Sequence, residues 1–449
     1  MMTTHLSLSQ QCLFMLNIFR QSMLILCLVA SGSGSADLGD RAIDWTNTMT
    51  QDFSDLAIRS LNKQRALTND YWATYWLGQK LLQLNLVNPR PTSLITPLIL
   101  REDSINAFAI PGNIIGLHRG LWQFASTESE FLSVLAHEMS HISLDHFSRL
   151  SSNQSQQGWV IASGILLTIL LAQENPEAAN AALFSTFAVT SQNQLNFSQT
   201  MELEADQLAQ SLLAAAGYNS NGGRAFFQKL EQTSFTTDAY EFLRSHPLGS
   251  TRASRLSNLT SSPSEQTSAD PAVSAFDVIR FNLLQQTDPS LANPLAGWAK
   301  LPEGINDPNL ILAWYKTQLQ RNLDDKRYLA DVTRLTAHYR GFLPAYFEQL
   351  KAMQRLKDAR LCDSVLPFAS AIENSYATLD VLELLQQVSA QCGLGSAVEW
   401  QARWLWQSGQ ETQALALLSN RLDGNTDTNQ IARLKTLLKD YTGRYRRFR

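Results

Sequence analysis

Two histidines four residues apart, with a glutamate beside the first, occur at His137, Glu138 and His141. Residues i and i+4 of a helix leave the same face, so on a helix both imidazoles point to one place. Neutral imidazole binds zinc well, and a site with three protein ligands keeps one position open for water. The pattern therefore predicts half of a hydrolytic zinc site, although three fixed positions also arise by chance in long chains.

The residues around this pattern favour a helix. Thr127 and Glu130 have the spacing of a capping box, and apolar residues then recur at helical intervals. These apolar residues are Phe131, Leu132, Val134, Leu135, Met139, Ile142 and Phe147. On such a helix His146 would point about 140° away from His141, so we interpret His146 as structural.

An acidic motif lies downstream, at the start of a second strongly helical run that ends near Gly217. Glu202 and Asp206 are again four residues apart, so their side chains share one helical face. One carboxylate can bind a metal ion while the other accepts a hydrogen bond from a ligand histidine. For an isolated motif of this kind, the alternative is a solvated acidic surface.

Further motifs accompany these two, and the set covers residues 45–255. They are Asn106 to Gly112, His246 with Pro247, and Arg252. Together with the histidine and acidic motifs, they resemble the gluzincin metallopeptidases, the family that includes HtpX and the CAAX prenyl proteases. Asn113 stands where many relatives carry a second glycine, a change that alters a turn and leaves the chemistry untouched.

The resemblance implies a zinc-dependent endopeptidase with one Zn²⁺ per chain. The implied ligands are His137, His141 and Glu202. Glu138 is the implied general base, which takes a proton from the attacking water. Asp206 either orients a ligand histidine or donates a proton. His246 and Arg252 are candidates to stabilise the oxyanion, and His246 is alternatively a fourth zinc ligand that closes a resting site.

Residues 93–124 have a different pattern, with alternating polarity and turn residues at Pro97, Pro111 and Gly112. This pattern predicts a small sheet that ends in a hairpin before the motif helix. An edge strand at residues 106–109 would let an extended peptide add as a further strand, held by main-chain hydrogen bonds.

The rest of the chain predicts further divisions. They are a signal peptide at 1–36, a zinc metalloprotease domain at 37–258, a linker at 259–272 and a helical domain at 273–449. Residues 397–420 have a spacing similar to a tetratricopeptide helix pair, for which plain bundle packing is the alternative. We therefore expect a mainly α protein: an α+β gluzincin-like metalloprotease domain with a small sheet, followed by an α-helical tetratricopeptide-like solenoid.

The first residues resemble a cleavable export signal. Arg20 precedes an apolar run from Met23 to Ala30, and small residues lead to a cleavage site after Ala36. Export to the periplasm is the implied destination. Cys362 and Cys392 follow this site, and in an oxidising compartment they either form a disulfide or remain two separately buried thiols.

An apolar segment lies between the two motif helices, from Gly158 to Ala172. Its 15 residues are too few to span a bilayer comfortably. It is either a buried helix of the protease core or a lid, or membrane-touching helix, that covers the active-site cleft.

The resemblance implies an endopeptidase for misfolded or stalled envelope proteins, in particular those of the outer membrane, with a chaperone role in their assembly. The helical domain would recruit these substrates or the outer-membrane assembly machinery. A net charge of −4 gives no support to nucleic-acid binding. The basic tail, Arg444 to Arg449, is either a solvated, frayed terminus or a contact with anionic lipid headgroups or an acidic partner, and peripheral membrane contact would use it. The alternative function is a mainly non-proteolytic chaperone or scaffold with a structural zinc site.

Overall fold

The computed structural model describes residues 47–147, 149, 192–233, 246, 273–373, 377–422 and 427–447. The predicted signal peptide, the apolar segment at 158–172, the predicted linker and Arg252 lie outside the described residues. Among the helices of the described ranges, none is both long and apolar enough to cross a membrane.

A three-stranded sheet precedes the motif helix, as the sequence predicts. Its strands are β1 (Thr96–Leu100), β2 (Ala107–Ile110) and β3 (Ile114–His118), in the order β1-β3-β2. β1 runs parallel to β3, whereas β2 and β3 form an antiparallel hairpin. Gly112 and Asn113 turn this hairpin with φ angles of 95° and 54°. Asparagine is among the few residues that tolerate this region, which explains how it replaces a second glycine.

Helices surround this sheet in the first part of the chain. They are α1 (Asn47–Lys63), α2 (Tyr71–Leu86), α3 (Arg119–Phe124), α4 (Glu128–Ser143), α5 (Gln192–Ala215) and α6 (Gly222–Thr233). The motif helix α4 packs against α5, α6 and the edge strand β2. This packing places both histidines of the motif beside the hairpin.

The start of α4 resembles the predicted capping box, whereas its end differs from the prediction. Thr127 accepts a hydrogen bond from the Glu130 N–H at 3.2 Å, as in the predicted box, but the Glu130 carboxylate accepts from Ser126 N–H at 2.9 Å. The helix ends at Ser143, and Asp145 follows with a φ of 51°. The expected continuation of the helix through Phe147 is therefore wrong.

In the second part of the chain, the regular secondary structure of the described residues consists of helices alone. The helices are α7 (Ala275–Leu284), α8 (Pro308–Asn322), α9 (Asp325–His338), α10 (Leu343–Leu356), α11 (Leu361–Ile372), α12 (Leu379–Gln391), α13 (Ser396–Gln407), α14 (Glu411–Leu422) and α15 (Thr428–Arg447). Successive helices pack on their neighbours. The mainly α fold with a small sheet is thus confirmed, while the tetratricopeptide character of these helices stays a prediction. A disulfide joins Cys362 to Cys392, with 5.4 Å between their Cα atoms.

One hydrophobic core runs through both parts. Trp76, Trp122 and Phe131 come from α2, α3 and α4, and Phe276 of α7 packs among them. The Trp122 and Phe276 rings stack with centroids 5.8 Å apart. Burial of these four aromatic side chains joins α2, α3, α4 and α7 in one core.

The last helices return to α1. Trp406 of α13 stacks on Tyr441 of α15 with ring centroids 4.1 Å apart. The Arg59 guanidinium of α1 lies 4.6 Å from the centre of the Trp406 ring. A smaller core between α13, α14 and α15 completes this end of the molecule.

Candidate metal centre

Four side chains converge on one point: two from α4, one from α5 and that of His246. His137 and His141 come from α4, Glu202 comes from α5, and His246 completes the group. One donor atom from each lies within 4.8 Å of all the others. The first three are the ligands that the sequence resemblance implies, and His246 is the residue for which two roles were open.

The spacing of these atoms fits a metal ion. His137 Nε2 lies 3.0 Å from His141 Nε2, 3.2 Å from a Glu202 oxygen and 3.4 Å from His246 Nδ1. Tetrahedral zinc, with bonds of about 2.0–2.2 Å, would set neighbouring ligand atoms about 3.3–3.6 Å apart. Three imidazoles and one carboxylate are also a donor set that zinc accepts. The residues present therefore fit the ion.

Asp206 lies behind the group. Its Oδ1 is 3.0 Å from His137 Nδ1, the ring nitrogen on the far side from the other three donors. Asp206 and Glu202 share one face of α5, as their spacing predicts, but they contact different edges of the same imidazole. This position suits an outer carboxylate that orients a ligand histidine.

Glu138 is next to the group and almost fully buried, with 1% of its surface exposed. Its Oε1 lies 3.3 Å from His246 Nε2. The same His246 nitrogen is 3.5 Å from the main-chain oxygen of Ala107 in β2. His246 thus stands between the candidate base and the edge strand.

Residues 92–260 match the sequence model of Peptidase family M48. This segment is an M48 peptidase domain. It contains all four converging residues, and peptidases of this family use zinc.

Known relatives resemble the chain in the same region. The beta-barrel assembly-enhancing protease of Escherichia coli K12 is 34% identical over 202 residues, which are 44% of this chain and 41% of that protein. A putative beta-barrel assembly-enhancing protease of Vibrio cholerae is 30% identical over 242 residues, 51% of this chain and 49% of the relative. The mitochondrial metalloendopeptidase OMA1 of Arabidopsis thaliana is 30% identical over 162 residues, 35% of this chain and 30% of the relative. The chain thus spans half or less of the length of these curated relatives.

The electrostatics of the M48 domain favour a positive charge at the centre. Burial acts to lower the pKa of His246, but the carboxylates of Glu202 and Glu138 outweigh burial and raise this pKa to about 10. For both carboxyls, burial acts to raise the pKa, and the neighbouring histidines overcome it and lower the pKa. His141 differs, because burial lowers its pKa to about 3 against the opposing effect of Glu202.

His146 lies in a place that the sequence interpretation missed. Because α4 ends before it, His146 turns back, and its Nδ1 approaches His141 Nδ1 to 2.8 Å. Its Nε2 lies 3.3 Å from the Glu204 carboxylate. The expected 140° separation from His141 is therefore wrong. Glu204 lies between Glu202 and Asp206 in the acidic motif, and its carboxylate is the sequence feature that could have indicated this contact.

Proposed function

We propose that the chain is an exported zinc endopeptidase that acts on misfolded or stalled proteins of the cell envelope. The observation that carries this proposal is the convergence of His137, His141 and Glu202 beside the buried Glu138. Membership of the 92–260 segment in an M48 peptidase family supports the same activity.

The proposed chemistry divides between the metal and the chain. His137, His141 and Glu202 hold the ion, and bound zinc supplies Lewis acidity. Glu138 accepts a proton from the attacking water and returns it to the departing amine. Asp206 holds His137 in the orientation that keeps Nε2 directed at the site. Arg252 remains a proposed oxyanion partner.

The edge strand is the proposed substrate platform. β2 lies at the edge of the described sheet, and its Ala107 oxygen is beside His246. An extended peptide added along β2 would pass next to Glu138. Because main-chain hydrogen bonds would hold this peptide, we expect broad sequence preference, as suits unfolded substrates.

His246 is the proposed resting-state ligand. Its Nδ1 faces His137 and Glu202, while its Nε2 faces Glu138. In that position it both completes a four-ligand set and occupies the proton-accepting atom of the base. A peptidase closed in this way would not cleave neighbouring proteins until a substrate or partner displaced His246.

The compartment and partners are also proposals. The names of the bacterial relatives connect those proteins with β-barrel assembly, and we propose outer-membrane proteins and their assembly machinery as the partners of this chain. Helices α7 to α15 would present the recruiting surface, with contact at the membrane surface through the basic tail. The Cys362–Cys392 disulfide supports an oxidising compartment such as the periplasm.

Metal analysis joined to a casein cleavage assay tests the proposal. Wild type should bind one zinc ion and cleave, whereas Glu138→Gln should keep the zinc and lose at least about 100-fold in cleavage rate. Zinc binding with no cleavage by wild type or by His246→Ala would contradict the peptidase.

A chaperone or scaffold with structural zinc is the second candidate, and the closed arrangement of His246 over Glu138 favours it. Complementation of an envelope defect separates the two functions. Glu138→Gln should fail to complement if cleavage matters, and full complementation would favour the scaffold.

A further inference from the structure

A row of polar side chains lies behind His141. His141 Nδ1 is 2.8 Å from His146 Nδ1, and His146 Nε2 is 3.3 Å from Glu204 Oε2. Arg149 pairs with the same carboxylate. His146 is 2% exposed, so its ring is buried, whereas the Glu204 side chain that it meets is 35% exposed. The proposed mechanism uses neither His146 nor Glu204.

The hydrogens available on these rings determine which nitrogen donates and which accepts in each hydrogen bond of the row. Only one hydrogen fits between the two Nδ1 atoms of His141 and His146, so one ring donates and the other accepts. His141 Nε2 faces His137 and Glu202 and needs its lone pair to bind a cation. A neutral His141 then carries its proton on Nδ1, and this N–H donates a hydrogen bond to His146 Nδ1. His146 carries its own proton on Nε2, where the Glu204 carboxylate accepts.

The other motif histidine has a shorter version of the same arrangement. His137 Nδ1 meets Asp206 directly, at 3.0 Å. Both histidines of α4 are thus connected to a carboxylate of α5, one directly and one through a second imidazole. Metal-bound histidines commonly donate their second N–H to such an acceptor, which sets the tautomer and the ring orientation.

We infer that His146 and Glu204 are positioning residues for zinc: they hold His141 as the Nδ1–H tautomer with Nε2 directed at the metal site. This inference rests on the proposed role of His141 as a ligand. It also explains why α4 ends at Ser143, because only a chain that turns back after this residue can place His146 behind His141.

Two substitutions at one position separate hydrogen bonding from packing. In His146→Asn the amide oxygen is bonded to Cγ, as Nδ1 is in histidine, so it can still accept from His141. His146→Phe keeps a ring of similar size and removes the acceptor. Zinc affinity is measured by competition with a chromophoric chelator, and circular dichroism of the metal-free proteins checks that each variant is folded.

We expect His146→Phe to bind zinc about 10–100-fold more weakly than wild type. His146→Asn keeps the acceptor for His141 and loses only the Nε2 donor to Glu204, so its loss should be about 3–10-fold. Glu204→Ala, at a side chain that is 35% exposed, should weaken zinc binding by about 3–10-fold without unfolding the protein. The opposite order at position 146, or an equal loss in both variants, would show a packing role and overturn the inference.

Two further variants also test the inference. If His146→Phe does not fold, the zinc affinity of Glu204→Ala becomes the test. Wild-type zinc affinity in Glu204→Ala would then overturn the positioning role of His146 and Glu204. His141→Ala distinguishes this failure from failure of the proposed function. Wild-type zinc affinity in His141→Ala would show that His141 is not a zinc ligand. That result would overturn both the proposed role of His141 and the inference about His146 and Glu204. Loss of zinc in His141→Ala without loss in His146→Phe would overturn only the inference.

Discussion

The indole N–H of Trp406 donates a hydrogen bond to Asp55 Oδ1 at 2.9 Å, and so connects α13 to α1, the first described helix. Arg59 Nε donates to the other oxygen of Asp55 at 2.9 Å. Arg444 of α15 adds an ion pair at 3.4 Å. One carboxylate therefore has a partner on its own helix, Arg59, and one on each of two helices that are remote in sequence, α13 and α15.

Removing this carboxylate should loosen the contact between the two ends of the described chain. Asp55→Ala leaves the buried Trp406 and Arg59 donors with fewer acceptors, so we expect the free energy of unfolding to fall by about 2 kcal/mol. Asp440→Ala is the matched control, because it also removes a partner of Arg444 but at an exposed site. Urea denaturation should show a loss below about 0.5 kcal/mol in the control, and equal losses would contradict the role of Asp55.

A half-buried carboxyl between the two parts of the chain, that of Asp380, should make stability depend on pH. Burial raises the pKa of Asp380 to about 6, and the nearby Asp70 carboxylate adds to this effect. The folded-state pKa then exceeds the unfolded value of about 3.9, so the contribution is complete below about pH 4 and is lost as pH rises through about 6.

Asp380→Asn should remove this loss. Relative to wild type, we expect the variant to gain about 2–3 kcal/mol of stability between pH 4 and pH 7, measured by denaturation at each pH. Asp363→Asn, at an exposed aspartate of α11, should follow the wild-type profile. A constant difference between Asp380→Asn and wild type across this range would contradict the prediction.

The proposed resting-state role of His246 predicts a gain of activity. His246→Ala frees Glu138 and one ligand position, so casein cleavage per bound zinc should rise, by about tenfold or more. Zinc affinity should fall at the same time, because one of four donors is lost. Addition of Glu138→Gln to this variant should abolish the gain. Unchanged or lower cleavage in His246→Ala would contradict the role.

The disulfide should stabilise the second part of the chain. Cys362 and Cys392 are 30 residues apart, and a closed loop of that length predicts a contribution of about 3–4 kcal/mol in the chain-entropy description. The double substitution Cys362→Ser and Cys392→Ser should lower the unfolding free energy by this amount, and reductant should lower that of wild type equally. Reductant should have no effect on the double variant; an equal effect there would point to a different cause.

The elements of the site that follow a local period could be predicted from the sequence. The pairs His137 with His141 and Glu202 with Asp206 each lie on one face of a helix. The hairpin at Pro111 and its position before α4 also follow from alternation and turn residues. In each case the signal and the structure lie within a few residues of each other.

Other features depend on contacts that no local pattern records. The apolar spacing of α4 continues to Phe147, but Asp145 takes a left-handed conformation and turns the chain back. His246 is 109 residues from His137, outside any helix or strand, so its exact role was open between two alternatives. The return of α13 to α1 requires Trp406 to meet Asp55 across 351 residues. Such positions are set by tertiary packing.

Helix α5 carries three carboxylates at alternate positions, and each has a different task. Glu202 faces the metal donors, Asp206 meets His137, and Glu204 meets His146. Because these side chains extend from one rigid rod, rotating or sliding that rod would displace all three together. The contacts that α4 and α5 contribute to the centre therefore form together as α5 packs against α4, and zinc bound by these residues would be thermodynamically linked to that packing. Removal of zinc by a chelator should therefore affect the whole of α5.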